Sequence, residues 1–357
     1  DLAALAGNWR LLKRHAQPAR CAAVVKADGY GLGAAEVAGA LAAAGCDTFF
    51  VAHAGEAIEL RAHLPAPAIF VLHGPPMGAE KELLRHGLTP VLSSPGHIAA
   101  WGKLARAENR RLPAALHLDT GMNRLGLSAS EAEALIDDPS PLGGIELVLV
   151  MSHLACSEES GHAMNGEQLR RFAAIEARLP KAPRSLANSG GIGLGAPYHR
   201  DMVRPGIALY GAEPGPDTNL GVKPVVRLSA RILQVRGVDR GESVGYGATH
   251  FFAGPGRVAT IALGYADGFL RSLSNRGYAY IDEVRVPLIG RVSMDLVTLD
   301  VSAVPNSRAQ PGATVELIGP KVSLTELSRQ AGTIEYEILT RLGRRFHRVY
   351  TGGGGPA

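Results

Sequence analysis

Cysteine is scarce in this chain of 357 residues, with three in all, Cys21, Cys46 and Cys156. Their odd number and wide spacing give no disulfide framework and no metal-type ligand pattern. They read as buried or idle thiols in a reducing compartment. Aromatic residues make up only 5%, too few for a platform that stacks single-stranded bases. Positive charge is in small excess, 37 − 33 = +4, and no Lys/Arg block concentrates it. No nucleic-acid partner is expected. No apolar stretch approaches the ~20 residues that span a bilayer, so no membrane partner is expected either. The chain starts at Asp1 without an initiator Met. The expected compartment is the cytoplasm, with an upstream export signal left open.

What is present is ordinary globular protein: 46% apolar and 20% charged residues. At roughly 150 residues per domain, the length suggests about two domains. The first two-thirds alternates between short apolar runs and amphipathic stretches. Strands are predicted at 21–27, 47–53, 67–73, 89–93, 113–120, 144–154, 183–189 and 202–211. Helices are predicted between them at 34–45, 54–64, 77–87, 94–108, 128–139 and 165–179, with at most a short helix in the Gly-rich gap 190–201. This succession matches a closed α/β barrel of the (β/α)8 TIM type, which needs ~250 residues. A doubly wound open sheet is the alternative. A helix over about 2–15 would cover the barrel bottom.

Beyond residue 224 the helical periodicity stops. Alternating Val/Ile/Leu runs at 225–238, 257–263, 278–289, 296–301 and 313–318 read as a mostly β domain. One late helix, about 323–331 and extendable to 342, interrupts it. The expected domains are therefore 1–224 and 225–357, ending in a flexible Gly-rich tail, TGGGGPA.

In a barrel, function sits at the C-terminal ends of the strands. Lys26 follows Ala23-Val24-Val25 at the end of a buried strand. A lysine there is costly unless its proton affinity falls or it is used covalently, as a Schiff-base lysine is. The other reading is a stem that snorkels out through the mouth. After the seventh strand come Asn188, Ser189 and the glycines 190, 191, 193 and 195, and the eighth carries Gly206-Ile207. Such small residues let backbone N–H groups approach a phosphate; they equally suit a tightly packed turn. A mouth lysine beside a phosphate cradle points to pyridoxal 5′-phosphate rather than a sugar phosphate. His117, Asp119 and His153 fall on neighbouring strands, but no spacing fixes coordination, so no metal is expected.

The motifs AVVKADGYGLG (23–33), HLDTGMNRLGL (117–127), MSHLACSEE (151–159), ANSGG (187–191), VRPGIALYG (203–211), SVGYGATH (243–250), IALGYADGF (261–269) and GRVSMDLVTLDV (290–301) run in order over nearly the whole chain. Together they resemble the alanine racemases, PLP-dependent enzymes of fold type III. The resemblance implies interconversion of L- and D-alanine by a homodimer with shared active sites. It makes Lys26 the cofactor lysine, with Tyr30, Asn188, Ser189, Gly206, Ile207 and Tyr350 around the phosphate. Arg204 would face the pyridine nitrogen.

Racemisation needs one acid/base group on each face of the substrate carbon. The resemblance assigns these to Lys26 and to Tyr246 of the partner subunit. A phenol titrates near ~10, so it needs neighbours to activate it; His153, and through it Arg204, is the implied relay. Arg124 would neutralise the cofactor's phenolate and the substrate carboxylate, the Met294 N–H would help bind that carboxylate with Asp295 beside it, and Tyr265 with Tyr350 would narrow the mouth. One departure stands out. His117 occupies the place where many members carry a lysine, often carbamylated, that orients the arginine. A bound anion such as chloride, or His117 itself, is expected to take that role. The competing readings are a racemase of broader specificity, a decarboxylase of the same fold group and a non-catalytic PLP carrier. Arg204 argues against the second and the β domain against the third.

Overall fold

The computed structural model describes residues 1–353, so the last four of the Gly-rich tail lie outside the described residues. Contacts divide the chain into two units. One holds Asp1–Lys223 and the described residues from Thr351, and the other spans Pro224–Tyr350. Thr351 joins the first unit because its carbonyl accepts the Leu2 N–H at 2.7 Å.

The first unit is built of parallel strands and covering helices. Seven strands form one sheet in sequence order, Ala23–Val24, Thr48–Val51, Ala68–Val71, Thr89–Leu92, Leu112–His117, Ile145–Met151 and Arg184–Ser185. The eighth, Met202–Val203, pairs in parallel with Arg20–Cys21. On its other side the Arg204 N–H donates to Ala187 O at 2.9 Å and the Asp201 N–H to Arg184 O at 3.0 Å. This is the barrel expected from the alternating pattern. The strands are buried on both faces, as parallel strands under helices must be; Phe49, Phe50, Ile69, Val71, Val91 and Leu116 are fully enclosed or nearly so.

The helices stop and start where local chemistry directs. Ser128 and Glu131 form a reciprocal capping box before Ala129–Asp137. Ser94 caps Pro95–Ala107, with proline in its first turn. Helix Leu2–Ala16 buries Leu5, Trp9, Leu12 and Ala16, one face of a 3.6-residue period. The Trp9 indole N–H reaches Cys21 O at 3.1 Å, which fixes that helix against the start of the first strand.

The second unit is an antiparallel closed barrel. Its strands are Leu228–Val238, Gly256–Ala262, Tyr278–Ile281, Val284–Ile289, Leu296–Asp300 and Thr314–Ile318. The run 278–289 is a hairpin rather than one strand, because Asp282 adopts a left-handed turn at φ 49°. The late helix is likewise two, Leu324–Ala331 and Glu335–Arg341, since Gly332 ends the first in a left-handed cap. Among the described residues no helix is long and apolar enough to cross a membrane.

Candidate active site

The first barrel strand ends sooner than its sequence suggests, at Val24, and Lys26 opens a turn. Ala27, Asp28, Gly29 and Tyr30 all take left-handed dihedrals, with φ between 54 and 61°. Three of these are not glycine, and each such residue costs about 1–2 kcal/mol, so surrounding contacts must hold the turn. The Asp28 carboxylate accepts the Ala34 N–H at 2.9 Å, and the Gly29 N–H returns to Val25 O at 3.0 Å.

Lys26 and Tyr30 occupy opposite ends of that turn. The Lys26 amine is half-buried, and its proton affinity falls below the ordinary lysine range. Burial is the main cause and Arg124 adds to it, while Glu56 opposes. Tyr30 is buried and stacks on Tyr210 with ring centroids 4.5 Å apart. Its hydroxyl stands where a Cβ on residue 206 would have to go. Ser189 Oγ accepts the N–H groups of Gly206 (2.9 Å) and Ala208 (3.3 Å). Asn188 Oδ1 accepts the Gly191 N–H at 2.9 Å and the Ser157 hydroxyl at 2.8 Å. The hydroxyls of Tyr30 and Ser189 thus meet at Gly206, with Ile207 next along the chain, in one cradle. A side chain at residue 206 would collide with the Tyr30 hydroxyl. That donor set fits a phosphate monoester.

Arg204 is buried over the Phe50 ring, 6.0 Å from its centroid. It donates to Ser185 Oγ and, at 2.6 Å, to Ser152 O. Burial lowers its guanidinium to about 9, which leaves it charged at neutral pH. His153 receives no hydrogen bond from it. The link is electrostatic: burial first, then Arg204, Arg124, Lys26 and His117, hold the His153 ring well below the usual histidine range. His117 is buried and lowered to about 4, by burial and then by Arg204, with Asp119 opposing and Arg124 assisting. Both rings are neutral at neutral pH. Arg124 is exposed at the mouth and has no hydrogen-bond or ion-pair partner among the described residues.

The second unit carries the remaining candidates. Tyr246 stands at the tip of a hairpin between Ser243–Val244 and His250–Phe251. Gly245 and Gly247 flank it at φ 75 and 73°, and the phenol is 73% exposed. Tyr265 and Met294 belong to two facing turns: the Tyr265 N–H donates to Ser293 O and the Ala266 N–H to Met294 O, both at 3.0 Å. Asp295 pairs with Arg345 at 2.8 Å, and the same guanidinium reaches Asp267 at 3.2 Å. Tyr350 closes this unit, partly exposed.

Several supporting residues escaped the motif reading. Gln168 is fully buried on helix Ala163–Glu176. Its amide accepts the Ala155 N–H at 2.8 Å and donates to His153 O at 2.9 Å, clamping the backbone that bears His153. It also donates to Thr120 Oγ1, which bonds Ser152 Oγ at 2.7 Å. The available signal was a polar residue on the buried stripe Asn165, Gln168, Phe172, Ile175. Glu56, Asp267 and Arg345 were missed too.

Two family models match the chain, alanine racemase N-terminal domain over residues 1–214 and alanine racemase C-terminal domain over 225–350. The alanine racemase of Rhodospirillum rubrum is 51% identical over 354 residues, 99% of this chain and 95% of that protein. That of Brucella abortus is 49% identical over 373 residues, 100% of this chain and 94% of the other. Among solved structures, the alanine racemase from Bartonella henselae with covalently bound pyridoxal phosphate superposes with a TM-score of 0.94 at 43% identity, covering 98% of each chain.

Proposed function

The chain belongs to the alanine racemase family of isomerases, and from that premise we propose that it interconverts L- and D-alanine by a two-base route, with pyridoxal 5′-phosphate bound through Lys26. The observation that carries this reading is the turn Lys26–Tyr30. It joins a half-buried amine of lowered proton affinity to the cradle that Tyr30 forms with Gly206.

Tyr30, Ser189, Gly206 and Ile207 would hold the phosphate, with Asn188 fixing the Ser189 corner and Tyr350 adding a hydroxyl. Arg204 would face the ring nitrogen. A guanidinium charged at neutral pH disfavours a second proton beside it and would keep that nitrogen unprotonated. When bound, the cofactor supplies an electron sink for the pair left as the Cα–H bond of alanine breaks.

The protein's own part is proton transfer and orientation. Lys26 Nζ takes the proton of the D-enantiomer on one face. On the other, Oη of Tyr246 of the partner subunit takes the proton of the L-enantiomer. Neutral His153 is a proton acceptor for that phenol. Arg124 and the Met294 N–H bind the substrate carboxylate, with Asp295 and Tyr265 shaping the mouth. His117, neutral and buried, is an acceptor suited to orient Arg124 where many family members use a carbamylated lysine.

A homodimer follows from this assignment. Tyr246, 73% exposed, and Leu296, 40% exposed, line one surface hollow, and such an open apolar patch supports it. The proposed compartment is the cytoplasm. The same reaction can supply D-alanine for peptidoglycan or feed alanine catabolism. D-alanine auxotrophy of a deletion strain marks the first role.

Borohydride reduction of the purified protein, followed by peptide mass analysis, tests the central assignment. The cofactor mass should appear on the peptide containing Lys26. A modified peptide elsewhere, or no yellow chromophore to reduce, would discard it.

A further inference from the structure

Glu56 occupies the third position of helix Ala54–His63. Its carboxylate reaches three backbone donors. Oε2 accepts the N–H of Ala52 at 2.8 Å and of His53 at 3.1 Å, closing the corner between strand and helix. Oε1 accepts the N–H of Ala27 at 2.6 Å, the residue directly after Lys26. Capping its own helix requires only the His53 contact. The bond to Ala27 ties a different strand end, the one that carries the lysine.

That tie bears on a strained segment. Ala27 is the first of five successive left-handed residues, Ala27 to Gly31, a conformation that persists only where neighbours over-determine it. Charge points the same way. The charged and titratable groups facing the Lys26 amine are the Arg124 guanidinium, the rings of His73 and His153, and the Glu56 carboxylate. Glu56 is the anion of that set. A hydrogen bond from N–H to an ionised carboxylate is roughly twice as strong as a neutral one.

We propose that Glu56 is a positioning residue for Lys26: its carboxylate fixes the left-handed turn that aims the lysine and supplies the negative charge beside its amine. The proposal rests on Lys26 being the cofactor lysine. It predicts two separate losses when the carboxylate is changed. The turn loosens, and the amine gives up its proton more readily.

The test is Glu56→Gln in the full-length chain. The amide keeps the volume, but its NH2 group cannot accept an N–H, and the charge is gone. Hydrogen exchange of the peptide spanning residues 22–30 should quicken about tenfold or more. In the chain freed of cofactor, the pH midpoint for labelling of Lys26 by an amine-acylating reagent, read by peptide mass, should fall below that of the unaltered protein. With cofactor bound, kcat should drop about 10–100-fold while KM for alanine stays within about threefold, since Arg124 is untouched. An unchanged labelling midpoint, or unchanged exchange over 22–30, overturns the proposal. Borohydride reduction of the unaltered protein keeps the two readings apart. If the cofactor mass is absent from Lys26, the assignment of the lysine fails, and the labelling midpoint still decides what Glu56 does to the amine.

Discussion

The hydroxyl of Tyr30 occupies the space that a side chain at Gly206 would need. Tyr30 cannot yield cheaply, because it is buried and its ring is stacked on Tyr210 at 4.5 Å. Gly206→Ala should therefore open the cradle rather than merely crowd it. The expected result is cofactor affinity weaker by about 10–100-fold, the cost of one or two phosphate contacts, measured by absorbance titration of the cofactor-free chain. Removing the obstructing oxygen with Tyr30→Phe in the same chain should restore part of that loss. A double variant as weak as Gly206→Ala alone would show that the overlap is not the cause.

Tyr246 has the opposite setting, at an exposed hairpin tip between two left-handed glycines. Within one chain the Tyr246 side chain is 73% exposed, so Tyr246→Phe should change the stability of the folded chain by no more than about 0.5 kcal/mol. The chemical effect should be one-sided. Racemisation should fall about 10²–10⁴-fold, the usual worth of a positioned acid/base. In heavy water, D-alanine should still exchange its Cα proton through Lys26 without inverting, whereas L-alanine should not exchange. Equal exchange of both enantiomers would remove the phenol from the reaction.

These two residues also show how far the sequence could be read. The barrel was legible because its parallel strands, covered on both faces, read as short apolar runs while its helices carry one apolar face at a period of 3.6, so the two textures alternate along the chain. Tyr30, Ser189 and Gly206 were legible as motif letters, and the structure brings them together. The left-handed course of Ala27 and Tyr30 was not, since neither residue type signals positive φ. Nor was Glu56, whose third partner, Ala27, lies 29 residues away. Gln168 and Arg345 act on backbone and carboxylates far off in sequence, and no local pattern encodes such contacts.

His117 makes stability depend on pH in a definite direction. Its folded value of about 4 lies below the ~6.5 of an exposed histidine. Between these limits the unfolded chain binds a proton that the folded chain refuses. Stability therefore rises with pH across that window and is lost as pH falls from 6.5 toward 4. At pH 5 the loss attributable to this ring is about 2 kcal/mol. His117→Asn removes the titration. In urea unfolding at fixed protein concentration, the drop between pH 7 and pH 5 should be smaller in the variant by about that amount. Identical drops would mean that the ring is not held neutral in the folded state.

Arg345 links the two turns that present Tyr265 and Met294. Its Nε meets Asp267 at 3.2 Å and its Nη1 meets Asp295 at 2.8 Å. The other Asp267 oxygen accepts the Gly264 N–H at 2.8 Å, directly before Tyr265. The guanidinium is half-exposed, so its value lies in geometry more than in stability. If the Met294 N–H binds the alanine carboxylate, releasing Asp295 should blur that donor's direction. Arg345→Ala is expected to raise KM for alanine about tenfold with kcat within about threefold, the signature of lost uniform binding. Arg345→Lys should recover little, because a single ammonium cannot span two carboxylates as a planar fork does. Full recovery with lysine would reduce the residue to a point charge, and an unchanged KM in both variants would separate the Asp267–Arg345–Asp295 bridge from substrate binding altogether.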